Sequence, residues 1–263
     1  MLRGVVLDID GVLVLGQEVC PGAVEAVDQL RRQGLKLRFL TNSTLHSRRS
    51  SAEKLRQAGV RVDADEIITA SSATAAYLRE CGARSCWVML EGRGLEEFEG
   101  IPSDESAPEY LAVGDNRSRF DFETLSRALR VIVNGAELIG MQSELVDTSF
   151  GQLELNVGSW VGMLERASGT SAVYIGKPYR YVFDLTLQSM DLQPDQVLMV
   201  GDQISIDIRG GQQAGMRTAL VVAGRHHEAD PGLSPDPDFI IDSVAELPLL
   251  LGGRQLEIGP RPI

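Results

Sequence analysis

The chain has 263 residues, 43% hydrophobic and 24% charged, with a formal charge of -12 and a pI near 4.8. A chain this long buries about three quarters of its unfolded surface, so its core needs no disulfide or metal staples. One large domain, or a core with one sizeable insertion, is expected. The acidity argues against nucleic acid and anionic membranes as partners, and any anionic ligand must be accommodated locally.

No apolar run approaches the roughly 18 residues of a membrane span. Leu2 to Leu7 leads straight into Asp8 without a signal-peptide pattern, so a cytoplasmic location is expected. Three cysteines, Cys20, Cys81 and Cys86, form no C-x-x-C pair and read as reduced structural thiols.

Val5-Val6-Leu7 reads as a buried strand running into a loop. Pro21 opens a helix with Ala23, Val27 and Leu30 on one face, stopped by Gly34. Leu35, Leu37 and Phe39 alternate with Lys36 and Arg38 as a second strand. Ser50 and Glu53 have capping-box spacing for a helix ending at Gly59, and Ile67-Ile68-Thr69 makes a third strand. The middle of the chain, 76–172, carries its own elements. Strands are expected at Cys86–Leu90, Leu111–Val113 and Leu138–Ile139, then just past the interval at Val173–Ile175, with helices near 121–133 and 158–168. A helix from Pro178, a strand at Val197–Val200, a helix over 205–214, strands at Thr218–Val222 and Phe239–Ile241, and a helix through Leu251 complete the pattern. Alternating strands and helices imply an α/β fold: a doubly wound parallel sheet formed by 1–75 and 173–263, with 76–172 inserted as a second α/β domain. The Glu91–Glu99 run reads as solvated surface, and Trp87 and Trp160 as packing residues of the insert.

Four polar clusters stand at element ends, where open α/β sheets gather their sites. They are Asp8-Ile9-Asp10-Gly11, Thr41-Asn42-Ser43, Lys177, and Gly201-Asp202 with Asp207. Aspartates at i and i+2 beyond a strand reach one small volume, and their repulsion calls for a shared cation. A hard dication such as Mg²⁺ suits carboxylates plus a substrate phosphate. One carboxylate can attack a phosphoryl group while the other handles the leaving-group proton. The Thr41 hydroxyl and the N–H groups after it form a natural phosphate seat, and Lys177 supplies a point charge. Against up to four carboxylate charges from Asp8, Asp10, Asp202 and Asp207, Lys177 alone leaves a site that repels phosphate, so the electrostatics require the metal. By contrast, His226, His227, Glu228 and Asp230 lack metal-ligand spacing and read as a solvated loop.

In combination and order these clusters resemble the four motifs of the haloacid dehalogenase (HAD) superfamily: D-x-D-G-V-L from Asp8, Phe39-Leu40-Thr41-Asn42, Gly176-Lys177-Pro178, and Gly201-Asp202 with Asp207. An insert between the second and third motifs resembles the C2 cap of the NagD-like subfamily IIA, as do Val113-Gly114-Asp115, Phe120 and Leu125. Gly151, Leu153, Leu155 and Gly158 resemble the branch containing phospholysine phosphohistidine inorganic pyrophosphate phosphatase, whose members often carry Ser at the position of Asp10.

The resemblance implies a Rossmann-like HAD core and a phosphatase acting on a small phosphorylated substrate. Asp8 would be nucleophile and metal ligand, and Asp10 general acid/base and a ligand through its carbonyl. Thr41, Asn42 and Ser43 would hold phosphate, and Lys177 would neutralise Asp8 and phosphate. Asp202 would bind Mg²⁺, while Asp207 would orient Lys177 or a metal-bound water. Gln203 stands where some members place a second acidic residue, which implies weaker metal affinity.

A phosphate-receiver module is disfavoured, because its phospho-accepting Asp follows a middle strand and it has no cap. Dehalogenation needs neither Asp10 nor metal. Phosphoryl transfer and a catalytically weak binding or regulatory scaffold stay open, as do substrate identity and homo-oligomer formation.

Overall fold

Gly4–Asp8 is buried along its whole length, which suits a β-branched run covered on both faces of a parallel sheet. In the computed structural model, which describes residues 1–16, 18–147, 152–222 and 236–252, it pairs in parallel with Val197–Gly201, Leu7 opposite Val200. The described residues divide into two compact units. One comprises Met1–Phe39, Leu55–Arg61 and the part that begins at Thr186; the other comprises Leu40–Lys54 and Val62–Leu185.

Strand order in the first unit is Phe239–Ile241, Arg217–Val221, Val197–Gly201, Gly4–Asp8, and then the strand that begins at Lys36. The chain leaves Gly4–Asp8 toward one edge and returns to its other side at Val197. The carboxyl ends of these two central strands therefore flank a topological switch point, the usual ligand crevice of an open α/β sheet. Helix Ala23–Arg32 buries Ala23, Ala26, Val27 and Leu30 and packs against Leu247–Gly252. The helix expected over 205–214 is instead a wide π turn, Ile204–Ile208, followed by a short α-helix, Arg209–Gln213. A small hairpin, Val14–Leu15 with Glu18–Val19, is too short for any periodicity to announce.

The second unit holds a four-stranded parallel sheet in the order Val173–Tyr174, Glu137–Gly140, Tyr110–Val113, Cys86–Met89. Helices Phe122–Val133 and Val157–Ser168 pack on each other around a core of Trp87, Val113, Leu138, Val161 and Leu164. Trp160 packs against Phe120 with ring centroids 4.6 Å apart and the planes tilted by 33°, and the Arg127 guanidinium lies 4.3 Å above Trp87, so both tryptophans serve packing. Arg117 joins three parts of this unit by pairing with Asp115, Asp147 and Glu154.

Two expectations need correction. The capping box at Ser50 lies inside helix Arg48–Gln57; the cap is Ser47, whose Oγ accepts the Ser50 N–H at 3.2 Å, while Glu53 pairs with Arg93. The Glu91–Glu99 run is only partly solvated, because Glu97 is buried and accepts the Arg48 N–H at 2.6 Å and its Nε at 3.1 Å. His226, His227, Glu228 and Asp230 lie outside the described residues.

None of the three cysteines is in a disulfide: Cys81 is exposed, Cys20 half-buried and Cys86 buried. Burial pushes the Cys86 thiol up to about 12. A thiol whose folded value is raised stabilises the fold below its unfolded value, and that contribution is lost as pH rises through the folded value. At pH 8 a thiol reagent should therefore label Cys81 readily and leave Cys86 untouched until denaturant is added, as peptide mass spectrometry can check. Equal labelling of Cys81 and Cys86 in the folded protein would contradict the packing.

Candidate active site

Asp8 closes the first strand, and its Oδ1 accepts the following Ile9 N–H at 2.8 Å. The chain then turns back on itself, with the Leu13 and Val14 N–H groups both donating to the Ile9 carbonyl. Asp202 follows the adjacent strand. Asp207 sits in the π turn, where its backbone N–H donates to the Gln203 carbonyl and its Oδ2 accepts the Gln203 N–H at 3.1 Å. One carboxylate oxygen from each of Asp8, Asp202 and Asp207 lies within 4.8 Å of the others, and all three residues are buried. Asp10, two residues after Asp8, is half-buried, and its carboxylate is not among the three.

Two glycines make this crowding feasible. Gly11 has φ +90°, and a Cβ there would lie 2.0 Å from Asp202 Oδ2. A Cβ on Gly201 would lie 2.2 Å from the Asp207 Cβ. Each backbone must come this close for its neighbour's carboxylate to reach the trio. Sequence reading recognised both glycines only as parts of motifs, because a close approach between side chain and backbone has no signature in the chain itself.

The remaining candidate residues belong to the second unit. Thr41 ends its strand buried, and its Oγ1 accepts the Ser43 N–H at 3.0 Å. Lys177 is buried, with Nζ donating to the Leu40 carbonyl at 3.4 Å. Asn42 fastens the Lys177 main chain at two points: Oδ1 accepts its N–H at 2.8 Å and Nδ2 donates to its carbonyl at 2.9 Å. The second Nδ2 hydrogen goes to Glu144 Oε2 at 3.2 Å. With both amide hydrogens committed, the Asn42 carboxamide is a fastener within its own unit, a role its expected contact with phosphate did not include. Glu144 had no motif to mark it.

The trio's donor set is oxygen only, which fits a hard divalent cation and not a soft or nitrogen-preferring metal. Separations of at most 4.8 Å give each ionised pair a repulsion of at least about 3.5 kcal/mol at an effective dielectric near 20, which a shared dication relieves.

Comparison with known proteins shows the family of this chain. A family model described as haloacid dehalogenase-like hydrolase matches residues 5–101, and a second, HAD-hydrolase-like, matches 174–247. The human haloacid dehalogenase-like hydrolase domain-containing protein 2 is 30% identical, over 92% of this chain and 93% of its own. The chain belongs to the haloacid dehalogenase-like hydrolases. Phospholysine phosphohistidine inorganic pyrophosphate phosphatase from Xenopus laevis is 32% identical over 87% of this chain and 86% of its own. Among solved structures, a p-nitrophenyl phosphatase from Archaeoglobus fulgidus aligns with TM-score 0.89 and 31% identity, covering 95% of this chain and 99% of its own. NagD from E. coli K-12 aligns with TM-score 0.86 and 30% identity, covering 93% and 98%. This HAD-like hydrolase is therefore a member of the NagD-like subfamily IIA, with the α/β, Rossmann-like core and cap of that group.

In this HAD-like hydrolase the contribution of Gly11 can be isolated with Gly16, which has φ +66° and open space around a would-be Cβ. Gly16→Ala should cost only the left-handed strain, about 1–2 kcal/mol. Gly11→Ala adds a clash with Asp202 and should lower the urea midpoint by clearly more. Equal midpoints for the two variants would show that Asp202 moves aside freely.

Proposed function

We propose that this HAD-type phosphatase is a Mg²⁺-dependent phosphohydrolase that cleaves small phosphorylated metabolites through a phospho-aspartyl intermediate on Asp8. The observation that carries the reading is the buried trio of Asp8, Asp202 and Asp207, with oxygens within 4.8 Å. Relatives named as phosphatases lend support, including the Archaeoglobus and Xenopus proteins.

Mg²⁺, held by Asp8, Asp202 and the Asp10 carbonyl with Asp207 beside them, would supply charge to offset the carboxylates and the phosphoryl oxygens. An Asp8 carboxylate oxygen attacks phosphorus, forming the acyl phosphate as the bond to the leaving oxygen breaks, and Asp10 protonates that oxygen. Asp10, now a base, takes a proton from water, whose oxygen attacks phosphorus and releases phosphate with Asp8 restored. Thr41 binds the phosphoryl oxygens with its hydroxyl. Asn42 contributes its main-chain N–H and Ser43 its hydroxyl, since the Asn42 carboxamide is committed to the Lys177 main chain and the Ser43 N–H to Thr41 Oγ1, and Lys177 supplies positive charge for the phosphate. Residues 76–172 are assigned as the C2-type cap that selects among substrates, and 1–75 with 173–263 as the core. The four-stranded sheet supports a separate cap unit, although its edge strand Val173–Tyr174 extends one element beyond that interval.

Activity on p-nitrophenyl phosphate should vanish in chelator and return with Mg²⁺. Asp8→Asn, retaining its fold, should lose several orders of magnitude, because an amide cannot form the intermediate. Full turnover by metal-stripped protein, or by a pure Asp8→Asn variant, would refute the mechanism, whereas a parent protein inactive with Mg²⁺ supplied would leave a binding scaffold as the better description.

The two duties of Asp10 separate by leaving group. p-Nitrophenolate leaves without protonation, but the second step needs a base whichever substrate was used. Asp10→Asn should therefore give a stoichiometric burst of p-nitrophenol followed by slow turnover, and no burst with an alkyl phosphate. General acid–base assistance is worth roughly 10²–10⁴-fold, so stopped-flow absorbance resolves the phases. Without a burst, and with the aryl ester slowed as much as the alkyl one in a variant that still binds Mg²⁺, Asp10 would have no part in proton transfer.

A further inference from the structure

The Asn42 carboxamide is bound on both sides to one peptide unit of the chain, and such a clamp works in only one orientation of the amide. Oδ1 must face the Lys177 N–H and Nδ2 the Lys177 carbonyl; the flipped amide would set donor against donor and acceptor against acceptor. Glu144 Oε2 meets Nδ2 at 3.2 Å, and an ionised carboxylate only accepts. It therefore favours the one flip that holds Lys177, by a charge-assisted bond stronger than one between neutral groups.

Glu144 is itself held in place. Its N–H donates to Gln142 Oε1 at 2.5 Å, and its carbonyl accepts the Gly158 N–H at 2.9 Å. Gly158 can come this close only without a Cβ, which would lie 2.2 Å from the Ser143 carbonyl oxygen and 2.7 Å from that of Glu144. Gln142 Nε2 donates at 2.6 Å to Asn156 Oδ1, the atom that also caps helix Val157–Ser168 through the Val157 N–H. An unbroken line of hydrogen bonds thus runs from that helix start through Gln142 and Glu144 to Asn42 and the Lys177 main chain. Gly176 completes it, since a Cβ there would lie 2.7 Å from Asn42 Oδ1.

We propose that Glu144 is a positioning residue for the reaction, acting on Lys177 through Asn42. The proposal rests on the phosphatase reading for its kinetic consequence, but its structural consequence stands without it. In Glu144→Ala the Asn42 amide loses one of the three bonds that set its orientation, Lys177 is held less firmly, and kcat on p-nitrophenyl phosphate should fall about tenfold. Glu144→Gln keeps an acceptor oxygen and should stay within about threefold of the parent.

The Glu144→Ala/Asn42→Ala double variant separates this role from general weakening of the fold. If Glu144 acts through Asn42, the double variant should be no slower than Asn42→Ala alone, because the second change removes a contact already lost. Multiplying effects would overturn the proposal, as would a Glu144→Ala kcat equal to the parent's.

An activity-free measurement uses the three lysines, Lys36, Lys54 and Lys177. Acetic anhydride labelling of Lys177, normalised to Lys54 and read by mass spectrometry, should rise several-fold in Glu144→Ala and less than twofold in Glu144→Gln, with thermal midpoints compared alongside. Unchanged labelling would overturn the proposal whether or not the protein turns over phosphate. Labelling as expected in a parent that hydrolyses no phosphate ester would uphold the positioning role and reject the phosphatase reading alone.

Discussion

Three carboxylates held within 4.8 Å in a buried setting are the costliest feature of the first unit, and much of its local structure can be understood as accommodating them. Repulsion of several kcal/mol per ionised pair is comparable to the whole stability of an ordinary domain. No flexible surface loop would keep such an arrangement; the rigid ends of two adjacent parallel strands do. Asp8 and Asp202 are fixed by the register of Gly4–Asp8 on Val197–Gly201, and the π turn after the second strand swings Asp207 inward. Gly11 and Gly201 remove the two Cβ atoms that would block the approach. A crevice that concentrates negative charge in this way suits a dication, and a dication suits an anionic substrate on an otherwise acidic protein. The overall charge of -12 and a phosphate-handling site are thereby compatible.

The second unit solves a different problem, the holding of a buried lysine by its main chain. Lys177 is one of only three lysines and is buried, so its position depends on how its own backbone is held. A carboxamide is suited to that task because it offers a donor and an acceptor side by side, matching a peptide unit. Asn42 uses the match in full, and Glu144 stabilises the orientation in which it works. Glycines recur here for the same reason as in the first unit: at Gly158 and Gly176 a polar group occupies the volume a side chain would take.

Much of the α/β pattern was legible in the sequence because its strands are buried on both faces and its helices are amphipathic. Val5–Leu7, Val197–Val200 and Leu111–Val113 are apolar runs that few other structures could bury, and each is a strand. Failures occurred where local chemistry was ambiguous. Ser47 and Ser50 are both acceptable caps, and only the path of the helix chooses Ser47. Glu97 looks like any surface glutamate until Arg48 is folded against it. A π turn at Ile204–Ile208 has the same apolar spacing as the start of an α-helix.

By itself the sequence determined the type of fold, the order of the strands along the chain, and the chemical kinds of residue gathered at their ends. Those properties follow from hydrophobic periodicity and from acidic, hydroxyl and basic groups placed after buried runs, which are local in the chain. Only the tertiary structure decided that Asp207 joins Asp8 and Asp202 at carboxylate distance, that Gly11 and Gly201 are the spaces permitting it, and that Asn42 spends its carboxamide on Lys177. Asn42 and Lys177 stand 135 residues apart, and hydrogen bonds and van der Waals exclusions at such separations depend on atomic positions set by the whole fold. A residue's chemistry can be read from its letter, but its partner is known only once the chain has brought the two together.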